Sequence, residues 1–114
     1  MKKHLFKQVS IIGMGLIGSS LALSIKKNKL AGETIGYAKS LSTRKKAKKL
    51  KLVDTVSDSL SKCVQGSDLI LICTPLSTYS KIIKNIRPHI KKDSIISDVG
   101  SAKEKSIKQM ESLL

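Results

Sequence analysis

Residues 9–18 read VSIIGMGLIG, a short apolar run that opens directly into Gly-x-Gly-x-x-Gly. An apolar strand, a glycine turn and a helix start form one unit: the first glycine permits a tight turn, the second lets a pyrophosphate approach the backbone, and the third lets helix pack on strand. The new helix then offers unpaired N–H groups and a positive dipole end to phosphates. No Asp or Glu stands in the helix's first turn to compete for that place. The motif is weak alone and gains meaning from its context, so Gly13, Met14, Gly15, Leu16, Ile17 and Gly18 are the first candidate cofactor-binding residues.

In such units a second strand about twenty residues further on ends in an acid that binds the ribose hydroxyls of NAD. Here residues 35–43 read IGYAKSLST, and twenty on from Gly18 stands Ala38, beside Lys39 and Ser40. An acid there would repel the extra ribose phosphate of NADP, whereas a cation attracts it. Lys39, Arg44 and Lys45, with the hydroxyls of Ser40, Ser42 and Thr43, favour NADP. NAD accepted without an acidic partner is the alternative.

The rest of the chain alternates strands and helices. Strands are predicted at Gln8–Gly13, Thr34–Ala38, Val53–Val56, Asp68–Cys73 and Ser94–Val99. Helices are predicted at Gly15–Lys27, Ser42–Leu50, Asp58–Val64, Ser77–Ile86 and Lys103–Leu114. Ser42 or Thr43 would cap the second helix, with Ala47 and Leu50 facing inward. DLILIC, residues 68–73, is an unbroken apolar run of the kind covered on both faces in a parallel sheet. The pattern implies an α/β, doubly wound, mostly parallel Rossmann-type sheet of order 3-2-1-4-5, stopping before a sixth strand. One domain over residues 1–114 is expected, the amino-terminal part of a larger protein. Ligands bind such folds where the strand order reverses, and three segments converge there: Gly13–Gly18, Cys73–Leu76 and Asp98–Lys103.

Cys73, Thr74 and Pro75 end the fourth strand. Pro75 cannot continue the ladder, so Thr74 either touches the cofactor or merely terminates the strand. Ser101, in the Gly turn after the fifth strand, either orients a substrate hydroxyl or caps the last helix.

Composition excludes several classes. The chain of 114 residues carries 22 basic against 8 acidic residues, a net charge of +14. Twenty of the basic residues are Lys, only Phe6, Tyr37 and Tyr79 are aromatic, and a solvated lysine surface is favoured over nucleic-acid binding. Cys63 and Cys73 lack metal-ligand spacing, His4 and His89 stand alone, and no metal site is expected; reduced thiols suit a cytoplasmic protein. The basic start and uncharged Val9–Ile25 superficially resemble a secretory signal, but three glycines interrupt the apolar stretch. No segment is long and apolar enough for a membrane helix.

VSIIGMGLIGSSLA, ICTPLS and IISDVGSAK, in this order and spacing, resemble the amino-terminal domain of the prephenate/arogenate (cyclohexadienyl) dehydrogenase family. The resemblance runs from about Val9 through nearly the whole chain, and GLIGSSLA followed by DVGSAK is more specific than the glycines alone. It implies oxidation of prephenate or arogenate with NADP or NAD, with loss of carbon dioxide, in tyrosine biosynthesis. By position, Gly13–Gly18 would hold the pyrophosphate, Lys39–Thr43 the adenosine ribose end, Thr74 and Pro75 the cofactor's side, and Ser101 the substrate hydroxyl. The family's catalytic His and substrate-binding Arg lie on segments without counterpart here, as does the helical domain through which a homodimer would form, so inactivity of the chain alone is expected. Two alternatives share the fold: a β-hydroxyacid or imine reductase, which should lack the Gly-Ser-x-Lys turn, and a nucleotide-sensing regulator without chemistry.

Overall fold

The computed structural model describes residues 5–98. Five parallel strands lie in the order β3-β2-β1-β4-β5. They are β1 (Phe6–Ile12), β2 (Ala31–Tyr37), β3 (Thr55–Ser57), β4 (Leu69–Ile72) and β5 (Ile95–Asp98), connected by α1 (Leu16–Lys27), α2 (Leu41–Lys49), α3 (Leu60–Val64) and α4 (Tyr79–Ile86). Single 3₁₀ turns flank α4 at Leu76–Thr78 and Arg87–His89.

The alternation of side chains along the central strands builds two cores. Val9, Ile11, Leu69 and Leu71 point to one face, where Leu21, Ala22 and Ile25 of α1 and Ala47 of α2 cover them. Ile12, Ile70 and Ile72 point to the other, against Val64 of α3 and Ile82 and Ile86 of α4. All four β4 residues are therefore buried, which is why LILI is apolar without interruption. Ser10, fully buried on the second face, is satisfied by the Cys63 carbonyl and the Ser67 hydroxyl.

Strands β1 and β2 begin earlier than the sequence reading has them, at Phe6 rather than Gln8 and at Ala31 rather than Thr34, and other boundaries differ where side chains compete with the ladder. Strand β3 begins at Thr55 rather than Val53, because Asp54 is tied to β2 first. Its carboxylate accepts from the Thr34 N–H at 2.8 Å, and its own N–H donates to the Thr34 carbonyl at 3.1 Å. Helix α2 is capped by Ser40, not Ser42 or Thr43: the Ser40 Oγ accepts from the Thr43 N–H and bonds the Ser42 Oγ at 2.8 Å. Leu50 does not face in. The helix ends at Lys49, Lys51 turns the chain at φ +54°, and Leu52 takes the core position instead. The fourth helix starts at Tyr79 rather than Ser77, after a 3₁₀ turn in which the Thr78 hydroxyl donates to the Pro75 carbonyl. The helix expected at Lys103–Leu114, with Ser101, lies outside the described residues.

Candidate functional site

The site forms at the carboxyl ends of β1, β2 and β4. One further hydrogen bond on each side carries the ladder past the strand ends: the Gly13 N–H donates to the Tyr37 carbonyl at 2.7 Å, and the Cys73 N–H to the Ile12 carbonyl at 2.8 Å. Gly13 is thereby held between the two neighbouring strands. Its φ of +99° is left-handed, and a Cβ there would stand 2.8 Å from the Thr74 methyl. At Gly18 a Cβ would stand 1.9 Å from the Gly13 carbonyl oxygen, so α1 rests directly on the turn.

Gly15 differs from both. It is the N-cap of α1, its φ of −78° suits any residue, and a Cβ there would meet no atom within 4 Å. The space above it is open, and the helix start beneath carries neither a capping side chain nor an acid. That is a cradle for a phosphate: main-chain donors around the start of α1, the positive end of a dipole, and room that only glycine leaves.

The other predicted residues distribute as follows. Met14 turns down into the core, its sulfur over Gly36, and only its main chain remains for a ligand. Leu16 projects outward at 86% exposure, and Ile17 packs half-buried against the first core. Gly13, Ala38, Lys39, Thr74 and Pro75 line one cleft of about 440 Å³. Gly15, Leu16 and Thr43 line a neighbouring groove between α1 and α2. Cys73 is half-buried behind the turn and packs on the first core. The third converging segment is described only to Asp98, which pairs with Ile72.

Among the described residues the cleft carries no carboxylate. Lys39 lines it, whereas Arg44 lines a separate groove between α2 and β3 that Asp58 also lines: one guanidinium nitrogen donates to the Ala38 carbonyl at 2.7 Å and to the Lys39 carbonyl at 3.0 Å. A guanidinium is thus fixed at the end of β2, where an NAD site would hold an acid. Ser40, as N-cap of α2, keeps its hydroxyl at the same corner.

Residues the sequence reading missed complete the cleft. Thr78, Lys81 and Asn85 line it from the α4 side, and Leu60 from α3. Their signal was the spacing 78, 81, 82, 85, which repeats on one helix face. The Thr78 and Thr74 hydroxyls are also hydrogen-bonded at 2.7 Å, fixing the Thr74 side chain against the turn.

Titrating groups away from the cleft have structural roles. Asp68, at the opposite end of β4, accepts from Lys91 and from the N–H groups of Lys7 (2.7 Å) and Gln8, which hold its carboxyl below the ordinary value of 3.8. Burial pushes the Cys63 thiol up to about 12, so it is no nucleophile. Among the described residues no three His, Cys, Asp or Glu gather as a metal site, and no helix is long and apolar enough to cross a membrane.

Residues 21–114 match the family described as prephenate dehydrogenase, nucleotide-binding domain. A cyclohexadienyl dehydrogenase of Zymomonas mobilis is 39% identical over 106 residues, covering 93% of this chain and 36% of that protein. The crystal structure of Synechocystis arogenate dehydrogenase superposes with a TM-score of 0.76 at 30% identity, over 92% of this chain and 38% of that one. A prephenate dehydrogenase from A. aeolicus, solved with hydroxyphenyl propionate and NAD+, superposes with a TM-score of 0.74 at 24% identity, over 81% of this chain and 32% of that one. The chain spans about a third of the length of these proteins.

Proposed function

The chain belongs to the prephenate dehydrogenase family as its nucleotide-binding domain, and from that premise we propose that it supplies the cofactor-binding half of an NADP-preferring enzyme oxidising prephenate or arogenate. The observation that carries the cofactor choice is the end of β2. Among the described residues no carboxylate lines the cleft, Lys39 stands at its lip, and Arg44 is fixed by two main-chain carbonyls. A ribose phosphate would meet Lys39 there, with the Arg44 guanidinium and the Ser40 hydroxyl on the residues beside it.

What the cofactor supplies when bound is a hydride acceptor for the ring carbon that carries the hydroxyl, and loss of carbon dioxide makes the ring aromatic. The residues of this chain bind and orient. The start of α1 around Gly15 takes the pyrophosphate, Thr74 and Pro75 bound the cleft beside Gly13, and Ser101 positions the substrate hydroxyl. We place this work in a cytoplasmic homodimer whose helical domain lies in the remaining two thirds of the family's length.

The test is a titration with both cofactors. A charge-assisted hydrogen bond contributes about 1.5–3 kcal/mol, and 1.4 kcal/mol is tenfold. Lys39→Ala should weaken NADP binding about ten- to a hundredfold and leave NAD nearly unchanged. An equal loss for both cofactors would refute the NADP assignment.

A further inference from the structure

The cleft that begins at Gly13 ends at α4, and its far end has a chemistry of its own. Thr78, Lys81, Ile82 and Asn85 present one helix face to it. Ile82 is buried, and with Leu60 of α3 and Pro75 it forms apolar walls suited to a flat ring. Asn85 is exposed into this space, and its carboxamide makes no hydrogen bond to any described residue. A carboxamide carries an acceptor and two donors on one rigid plane.

We propose that this end is a base-reading subsite in which Asn85 recognises adenine by its N6/N7 edge, so that the site selects a 6-amino purine. The proposal rests on the dinucleotide reading above and deepens it. Asn pairs with adenine in a bidentate way: its oxygen accepts from the N6 amine, and its nitrogen donates to N7. A 6-oxo purine replaces the amine by an acceptor beside the N7 acceptor. The carboxamide oxygen then faces another oxygen, and one of the two bonds is lost.

Lys81 lines the same space and is the competing reader. An ammonium is donor only, so it would favour the 6-oxo base. The two readers therefore predict opposite signs. The walls, by contrast, carry no base preference, since both purines offer the same flat face.

The experiment titrates the chain with NADP and with its hypoxanthine analogue, in which an oxygen replaces the N6 amine. We expect NADP to bind at least about fivefold more tightly, the lower end for a bidentate contact. Asn85→Ala should weaken NADP and bring the ratio to about one, whereas Lys81→Ala should keep the preference. The fold of each variant is checked by thermal unfolding; both positions are exposed. Equal affinity of the unsubstituted chain for the two dinucleotides overturns the proposal, as does a preference for the 6-oxo base or a ratio that survives Asn85→Ala. Failure of the unsubstituted chain to bind either dinucleotide would instead sink the dinucleotide reading on which the proposal rests.

Discussion

Gly15→Ala separates folding from binding in a way neither neighbouring glycine can. At Gly13 the left-handed φ and the Thr74 methyl, and at Gly18 the Gly13 carbonyl 1.9 Å from an added Cβ, make any side chain disrupt the turn. Gly15 has an ordinary φ and open space around its missing Cβ. Alanine is a poorer N-cap than glycine by roughly 0.5 kcal/mol, while restricting the unfolded chain returns about 0.4–1 kcal/mol. The net change should lie within about 0.5 kcal/mol, a shift in Tm of no more than about 4 °C for a domain of this size. Binding should respond differently, because the added methyl fills the space that the proposed site gives to the pyrophosphate. Loss of even two charge-assisted contacts of about 1.5 kcal/mol each amounts to a hundredfold or more. Thermal unfolding and cofactor titration on the same sample give both numbers. Affinity within threefold of the unsubstituted chain, in a variant of unchanged Tm, would show that no phosphate crosses Gly15 and would remove the central support for the site.

Three further outcomes are expected. Asp68→Asn should lower Tm at neutral pH, because the depressed carboxyl contributes stability above the ordinary value of 3.8 and loses it as pH falls through its lower folded value; thermal melts from pH 7 to 2 should show the two proteins converging at the acid end, and a constant gap would refute the ionic role. A thiol reagent added to native protein should label Cys73 and spare Cys63, which is buried with its thiol pushed up to about 12, until denaturant is present; native labelling of Cys63, read by peptide mass, would contradict its burial. The 114-residue chain mixed with NADP and prephenate or arogenate should show no turnover, since among the described residues no His lines the cleft and a positioned acid–base group contributes about 10²–10⁴-fold; steady formation of reduced cofactor would place the proton acceptor within this chain.

The sheet was legible in the sequence because its signals are local. Strand–turn–helix at Val9–Gly18, the buried run at Leu69–Ile72 and the right-handed crossover rule together specify the order 3-2-1-4-5. Two of the errors fall where a side chain takes over a main-chain bond. Asp54 holds β2 before β3 begins, and Ser40 caps α2 two or three residues before the expected cap. Neither exchange alters hydrophobic periodicity, so neither is visible to a reading based on it. The burial of Met14 was equally hidden. It depends on Gly36, 22 positions away, lacking a side chain, and such a pairing appears only once β1 and β2 lie side by side.

The site divides along the same line. The proposed phosphate end is written in one contiguous motif, and the proposed charge in the residues that follow β2. The α4 side is not contiguous with either, and Lys81 and Asn85 resemble ordinary solvated positions on an amphipathic helix. Only the fold brings them opposite Lys39. The absence of an acid at Ala38 also changes meaning once the structure is seen. In the sequence it is a missing ligand; in the fold, Arg44 reaches back to the very carbonyls of Ala38 and Lys39. A side chain carboxylate at position 38 would pair with that guanidinium and cancel its charge toward a ribose phosphate. Ala38→Asp should therefore weaken NADP more than Lys39→Ala does, since it adds repulsion and neutralises Arg44 at once, and it should improve NAD. The competing titrations decide between the two roles. If NAD affinity in Ala38→Asp falls together with that of NADP, position 38 acts through packing, as its 5% exposure would allow, rather than through charge.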